Sequence, residues 1–190
     1  MDIQALVEGI SWHEHAVLAA MHWEEGTFVF VLETSLGDTN RRRFRIACVD
    51  AVEVELVPGR IEELDCATEH PLLLQHSGPQ ADLFFSSSPN SPGEIFLAAH
   101  EVIDRMLQGW RDPRQILCHG PGQFASVLAR GHGLLARGPV VLVEALGRRL
   151  QGLLEVNAVH SYRKDDPLIV LTADSGYVVC ASVEVTELAA

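Results

Sequence analysis

The sequence predicts an α+β protein built mainly on antiparallel sheet. Three observations carry that expectation. The first half alternates apolar and polar residues at period 2 between turn residues. A capped, 3.6-periodic helix stands near residues 92–110. Two further helical segments follow, and then a C-terminal antiparallel β-meander. Strands, helices and strands in separate blocks argue against an alternating βαβ parallel sheet.

From the N-terminal side, His13 to Trp23 alternates, with His13, His15, Val17, Ala19, Met21 and Trp23 on one parity. Glu24-Glu25-Gly26 reads as a short turn. Thr27 to Thr34 is apolar on both parities and reads as a central strand. Leu36 to Asn40 is a loop by its turn chemistry. Arg41 to Cys48 sets Phe44, Ile46 and Cys48 against Arg41, Arg43 and Arg45. Val52, Val54 and Leu56 continue the apolar parity, with Glu53 and Glu55 opposite. Asp50 falls on the apolar parity, where burial is costly, so a bend is expected there. Folded back as a hairpin, Arg43 and Arg45 would face Glu53 and Glu55.

Residues 60–71 read as acidic and irregular. Leu72–His76 and Ala81–Ser86, around Gly78-Pro79, read as a second hairpin. Ser86–Pro92 is a loop. Ser91, Pro92 and Glu94 then form a capping-box signature, followed by Ile95, Ala98, Ala99, Val102, Met106 and Trp110 at helical spacing. Asp112-Pro113 stops that helix. Gln123–Ala136 reads as a helix interrupted by Gly131 and Gly133. Val140–Leu150 is a helix with Leu142, Leu146 and Leu150 on one stripe and Glu144 set i,i+4 to Arg148. Leu154 to Tyr162 alternates as a strand. Leu168–Ala173 and Tyr177–Val185 form a hairpin around Asp174-Ser175-Gly176. Cys48–Leu56 and Cys180–Leu188 echo one another, but strands of limited vocabulary often do. The organisation expected is a β-rich module over 1–110. Residues 111–190 then form a second small module or a second layer of one domain.

The chain has 190 residues, 47% hydrophobic and 21% charged, an ordinary globular balance. No run approaches the roughly 18 apolar residues of a membrane helix, and the first residues carry no secretory pattern. The nearest two of the four cysteines are 18 residues apart, so no C-x-x-C pair exists. Three lie in apolar strand-like runs and read as buried thiols, as suits a reducing cytoplasm. Thirteen of the 14 basic residues are arginine, a composition that suits a GC-rich bacterial gene. Net charge is −12. It divides into −12 over residues 1–109, +5 over 110–164 and −5 over 165–190. That balance disfavours nucleic acid and favours a basic protein partner.

No motif identifies a reaction. His13-x-His15 sets two imidazoles on one strand parity, a start for a metal site that lacks a third ligand. Two half-exposed histidines at a strand end account for the same pattern. Cys118-His119 ahead of Gly120-Pro121-Gly122 has the elements of an activated thiolate, but adjacent strand residues point apart, so a distant base such as His160 would be needed. The glycines from 120 to 138 lack a phosphate-loop pattern. Arg130, Arg137, Arg148 and Arg149 could hold an acidic group, or be solvated helical arginines. Trp12, Trp23 and Trp110 are candidate interface anchors.

The expected function is therefore a non-catalytic bacterial cytosolic protein-binding module of immunity, inhibitor or adaptor type, with no cofactor implied. Two alternatives stand beside it. One is an enzyme using His13/His15 or Cys118. The other is a regulatory domain with a small-ligand site where the two halves meet. Self-association through an edge strand, such as one from the C-terminal hairpin, is also compatible with the sequence.

Overall fold

The computed structural model describes residues 3–9, 15–36, 40–76, 78–161, 167–174 and 176–189. The chain is α+β with antiparallel sheets throughout, and it divides into two compact units. The first comprises residues 1–73 and 167–190, the second residues 74–166. A cut at residue 110 would divide the core of the second unit, where Ile95 and Val102 share one cluster with Phe124 and Leu142. Among the described residues no helix is long and apolar enough to cross a membrane.

The first unit is two sheets over one core. Its long strands are β1 (His15–Glu24), β2 (Thr27–Leu36) and β3 (Asn40–Val49). The β1–β2 turn puts Glu25 at φ 44° and Gly26 at φ 87°, the paired left-handed residues of a two-residue hairpin. Phe28, Phe30, Leu32 and Thr34 of β2 sit opposite Cys48, Ile46, Phe44 and Arg42 of β3. On β1 the matching residues are Trp23, Met21, Leu18 and Ala16, because a bulge between Leu18 and Ala20 shifts the register. One extra residue exchanges the two faces of a strand. The single parity expected over His13–Trp23 therefore holds only after the bulge: Ala16 and Leu18 are buried, and Val17 is 37% exposed.

At Asp50, φ 50°, the chain turns as expected, but not into a hairpin with β3. β4 (Glu53–Glu55) pairs with β11 (Gly176–Cys180), which pairs with β10 (Ile169–Ala173). β3 pairs instead with β12 (Ser182–Leu188). Arg43 accordingly meets Glu33 at 2.9 Å and Arg45 meets Glu24 at 2.5 Å, while Glu53 accepts a 2.8 Å bond from the Tyr177 hydroxyl. Residues 60–71, expected to be irregular, hold β5 (Gly59–Ile61) and β6 (Leu64–Ala67). Ile61 and Leu64 anchor them in the core, at 5% and 1% exposure.

The sheets run β12-β3-β2-β1-β5 and β4-β11-β10-β6. Of the expected C-terminal hairpin, β10 and β11 are thus internal to their sheet, while residues 182–185 belong to β12, an outer strand of the five-stranded sheet. The N-terminal helix α1 (Ile3–Gly9), which the sequence reading did not anticipate, buries Ile3 and Leu6 in this core. Gln4 Nε2 donates to the Cys66 carbonyl on β6, 2.9 Å away.

The second unit centres on β7 (Gln80–Phe85), flanked by β8 (Gly133–Pro139) and β9 (Val156–Ser161). Its helices are α2 (Pro92–Leu107), α3 (Pro121–Leu128) and α4 (Val140–Leu150). Pro92 opens α2 as expected, but the Ser91 side chain makes no capping bond. The helix stops at Leu107 rather than at Asp112-Pro113, because Gln108 and Gly109 turn left-handed at φ 52° and 77°. The helix expected over Gln123–Ala136 ends at Leu128. Gly131 and Gly133, at φ 78° and 153°, reverse the chain so that residues 133–139 become β8. Leu72–His76 likewise forms no hairpin strand: Pro71–Gln75 is a 3₁₀ turn that buries Leu72 and Leu73. α4 follows its sequence stripe, with Leu142, Leu146 and Leu150 buried.

Asp174 fastens one corner of the first unit. Its Oδ1 accepts from the backbone N–H groups of Glu62 and Glu63, both at 2.9 Å, from a left-handed residue at φ 50°. Asp174→Ala removes the acceptor of both bonds and leaves alanine in an unfavourable backbone region, for an expected loss of about 1–3 kcal/mol in urea unfolding. Asp174→Asn keeps a carbonyl acceptor and tolerates that backbone, so it should lose less than about 1 kcal/mol.

Candidate functional site

The second unit carries an open groove lined by apolar and charged side chains. It has a volume of about 560 Å³, within the range of roughly 300–1,000 Å³ typical of binding pockets. One wall is the α4 stripe of Val143, Glu144, Gly147, Arg148 and Gln151, and the other is the start of β9 with Val156 and Ala158. Leu83 of β7 and Leu154 complete the apolar lining. The pairing explains the floor: Leu83 lies opposite Ala158, and Phe85 opposite Val156, so these residues share the sheet face under α4. Gly147 adds width, since a Cβ there would meet only Leu83 Cδ1, at 3.9 Å. At one end Glu144 lies 3.8 Å from Arg148 and 3.9 Å from His160.

The four arginines singled out from the sequence do not converge. Arg137 makes a two-pronged contact to Asp82, at 2.6 and 3.0 Å. Those hydrogen bonds hold the Asp82 carboxyl below its ordinary value. Arg149 reaches Glu101 at 3.2 Å. Arg148 has its i,i+4 partner Glu144 and alone of the four lines the groove. Arg130 follows α3 in a turn and is exposed, with no side-chain partner among the described residues. Three of the four charges are thus matched by carboxylates of the same unit.

His13 and Trp12 lie outside the described residues, as does the side chain of His15, the first residue of β1. Among the described residues no three His, Cys, Asp or Glu side chains come together as metal ligands. His22 bonds Glu24 at 2.6 Å instead, and that bond and the one from Arg45 lower the Glu24 carboxyl.

Cys118 is placed by a short bridge to β8, where its N–H donates to Leu135 O at 3.2 Å. Burial pushes its thiol up, against the pull of nearby Arg137 and with a smaller push from Asp82. A raised thiol is the less reactive form at neutral pH. His119 turns away and donates from Nε2 to Leu134 O at 3.1 Å. His160 stands on β9, across the sheet from the strand that Cys118 joins. The nucleophile, neighbouring histidine and distant base are therefore not assembled. In the first unit, Cys48 and Cys180 are fully buried and in contact, and the Cys180 hydrogen bond, followed by burial, pushes the Cys48 thiol up.

Charge is sorted between the units. The first has 5 basic and 17 acidic side chains, a balance of −12, and the second has 9 of each, a balance of zero. On the first unit, Trp23 is 56% exposed, with its ring edge-on to Phe28 at 5.3 Å, and Glu24 and Glu25 follow it. Val52 and Val57, exposed at 54% and 76%, flank Glu53 and Glu55. Trp110 is only half-exposed. No family model, curated protein or solved structure matches this chain.

Two measurements test the second unit. Gly147→Ala adds a methyl group in ordinary contact and removes a helix-interior glycine, so unfolding free energy should rise by about 0.5–1 kcal/mol. A loss of stability would mean that the groove floor is closed. The Asp82–Arg137 pair contributes little to stability, because Arg137 is 67% exposed and solvent screens the pair. The folded Asp82 carboxyl lies below its reference value of 3.8, so this contribution is complete above that pH and is lost as pH falls through the lowered folded value. The stability difference between the natural chain and Asp82→Asn should be flat above pH 3.8 and shrink below it.

Proposed function

We propose that this chain is a non-catalytic protein-binding module of the bacterial cytosol, of immunity, inhibitor or adaptor type, and that its first unit meets a basic partner. The carrying observation is the charge segregation: the whole net charge of −12 falls on the first unit and none on the second. A one-sign surface steers an oppositely charged partner into encounter and rejects like-charged proteins. Trp23 suits the role of anchor, being a large aromatic ring that is exposed, braced by Phe28 and followed by two glutamates. The raised Cys118 thiol and the dispersed arginines support binding over covalent chemistry.

The test is quantitative capture and cross-linking from cells that express the chain, run across a salt series. A basic partner should be retained at low ionic strength and lost as salt rises. Trp23→Ala should weaken it at least about tenfold, and Glu25→Lys, which removes attraction to a basic partner, should weaken it most at low salt and flatten its dependence on salt. A partner held equally at all salt concentrations and by both variants overturns the reading.

A further inference from the structure

We propose that the second unit forms a twofold dimer with another copy of this chain, by antiparallel pairing of β9 with β9. The three-stranded sheet has two outer edges, and among the described residues only that of β8 is covered. The outer edge of β8 is met by residues 116–118, through Cys118 N to Leu135 O at 3.2 Å and Arg137 N to Ile116 O at 3.0 Å. β9 bonds to β7 on one side, and among the described residues nothing pairs with its other side. Monomeric proteins blunt such an edge with proline, lysine or a covering element. Val156–Ser161, with sequence VNAVHS, has neither proline nor lysine, no described element covers its outer edge, and Asn157, Val159, His160 and Ser161 are all exposed.

This strand is complementary to itself. A twofold axis through Val159 sets Val159 against its own copy and Asn157 against Ser161 on the face away from α4. Val159 is 51% exposed there, and Phe84, 38% exposed, shares that face. On the other face Ala158 meets His160 across the axis.

α4 supplies the charge complementarity. Glu144 stands beside His160, and the groove runs from there past Gly147 and Gln151 to Val156, so α4 runs antiparallel to β9. The axis through Val159 consequently passes near the middle of the Glu144–Arg148 stripe. The two α4 helices lie antiparallel across it, separated by two to three strand spacings, or roughly 10–14 Å. Glu144 of each copy then faces Arg148 of the other. Both side chains are exposed, at 45% and 71%, and their contact within one chain is a loose 3.8 Å. The groove of about 560 Å³ is the space into which the opposing stripe fits.

Sedimentation equilibrium of the full chain should give twice the 20.8 kDa chain mass, with a concentration-dependent dissociation. Val159→Lys places two like charges opposite one another at the axis and should raise the dissociation constant at least about tenfold. Glu144→Arg and Arg148→Glu should each weaken the dimer about tenfold, and the double exchange should restore it to within about threefold. All three positions are exposed, so circular dichroism should be unchanged. A monomer at every concentration overturns the proposal, as does a dimer indifferent to Val159→Lys or a double exchange no better than either single change.

Discussion

The pairing of β12 with β3 is the contact on which the arrangement of this chain depends. It runs through seven residue pairs, from Ser182 opposite Val49 to Leu188 opposite Arg43. With β10 on β6 and β11 on β4, it makes the last part of the chain complete a core begun by the first. The first unit is therefore discontinuous, and residues 74–166 form a unit with a separate core between its two parts. Contacts of this sequence separation close late and slowly, since the loop entropy must be met before the strands reward it.

That same pairing explains how much the sequence could show. Short-range signals were legible because their physics is local. The Glu25-Gly26 turn, the bend at Asp50, the start of α2 at Pro92 and the Leu142–Leu146–Leu150 stripe of α4 all depend on residues within a few positions of each other. Partner choice was not local. Alternation identified β3 and β4 as strands, but Arg43 and Arg45 found Glu33 and Glu24 rather than Glu53 and Glu55. The bulge in β1 carries no signature among Leu18-Ala19-Ala20, all good residues for either face. Gly131 and Gly133 were visible as interruptions of a helix, yet only the positive φ at each shows that they end it.

The echo between Cys48–Leu56 and Cys180–Leu188 has a structural counterpart. After Cys48 the chain leaves the five-stranded sheet for the four-stranded one, and after Cys180 it makes the reverse crossing. Val52 N bonds Val179 O at 2.9 Å and Ala181 N bonds Val49 O at 3.0 Å, so the two crossings fasten each other. The two thiols meet in the core at this place. Similar sequence here follows from similar work: a small buried residue, a sharp change of direction, then an alternating strand with glutamates outward.

The candidate sites were legible only in part, because residue type identifies a charge but not its counter-charge. The sequence already set Glu144 i,i+4 to Arg148, but Arg137 and Arg149 looked available until Asp82 and Glu101 were placed beside them. By sequence position the net charge fell into two acidic blocks around a basic one, and the fold collects the whole net −12 on one unit. A charged unit joined to a neutral one separates two tasks that conflict on a single surface. Self-association is opposed by like charge, whereas recognition of a basic protein benefits from it. The β9 edge strand belongs to the neutral unit, so the unit that would pair with its copy carries none of the net −12. A dimer built that way carries two acidic units. A basic partner with two contact points then gains the effective-concentration advantage of bivalency, without any contact stronger than those of one unit.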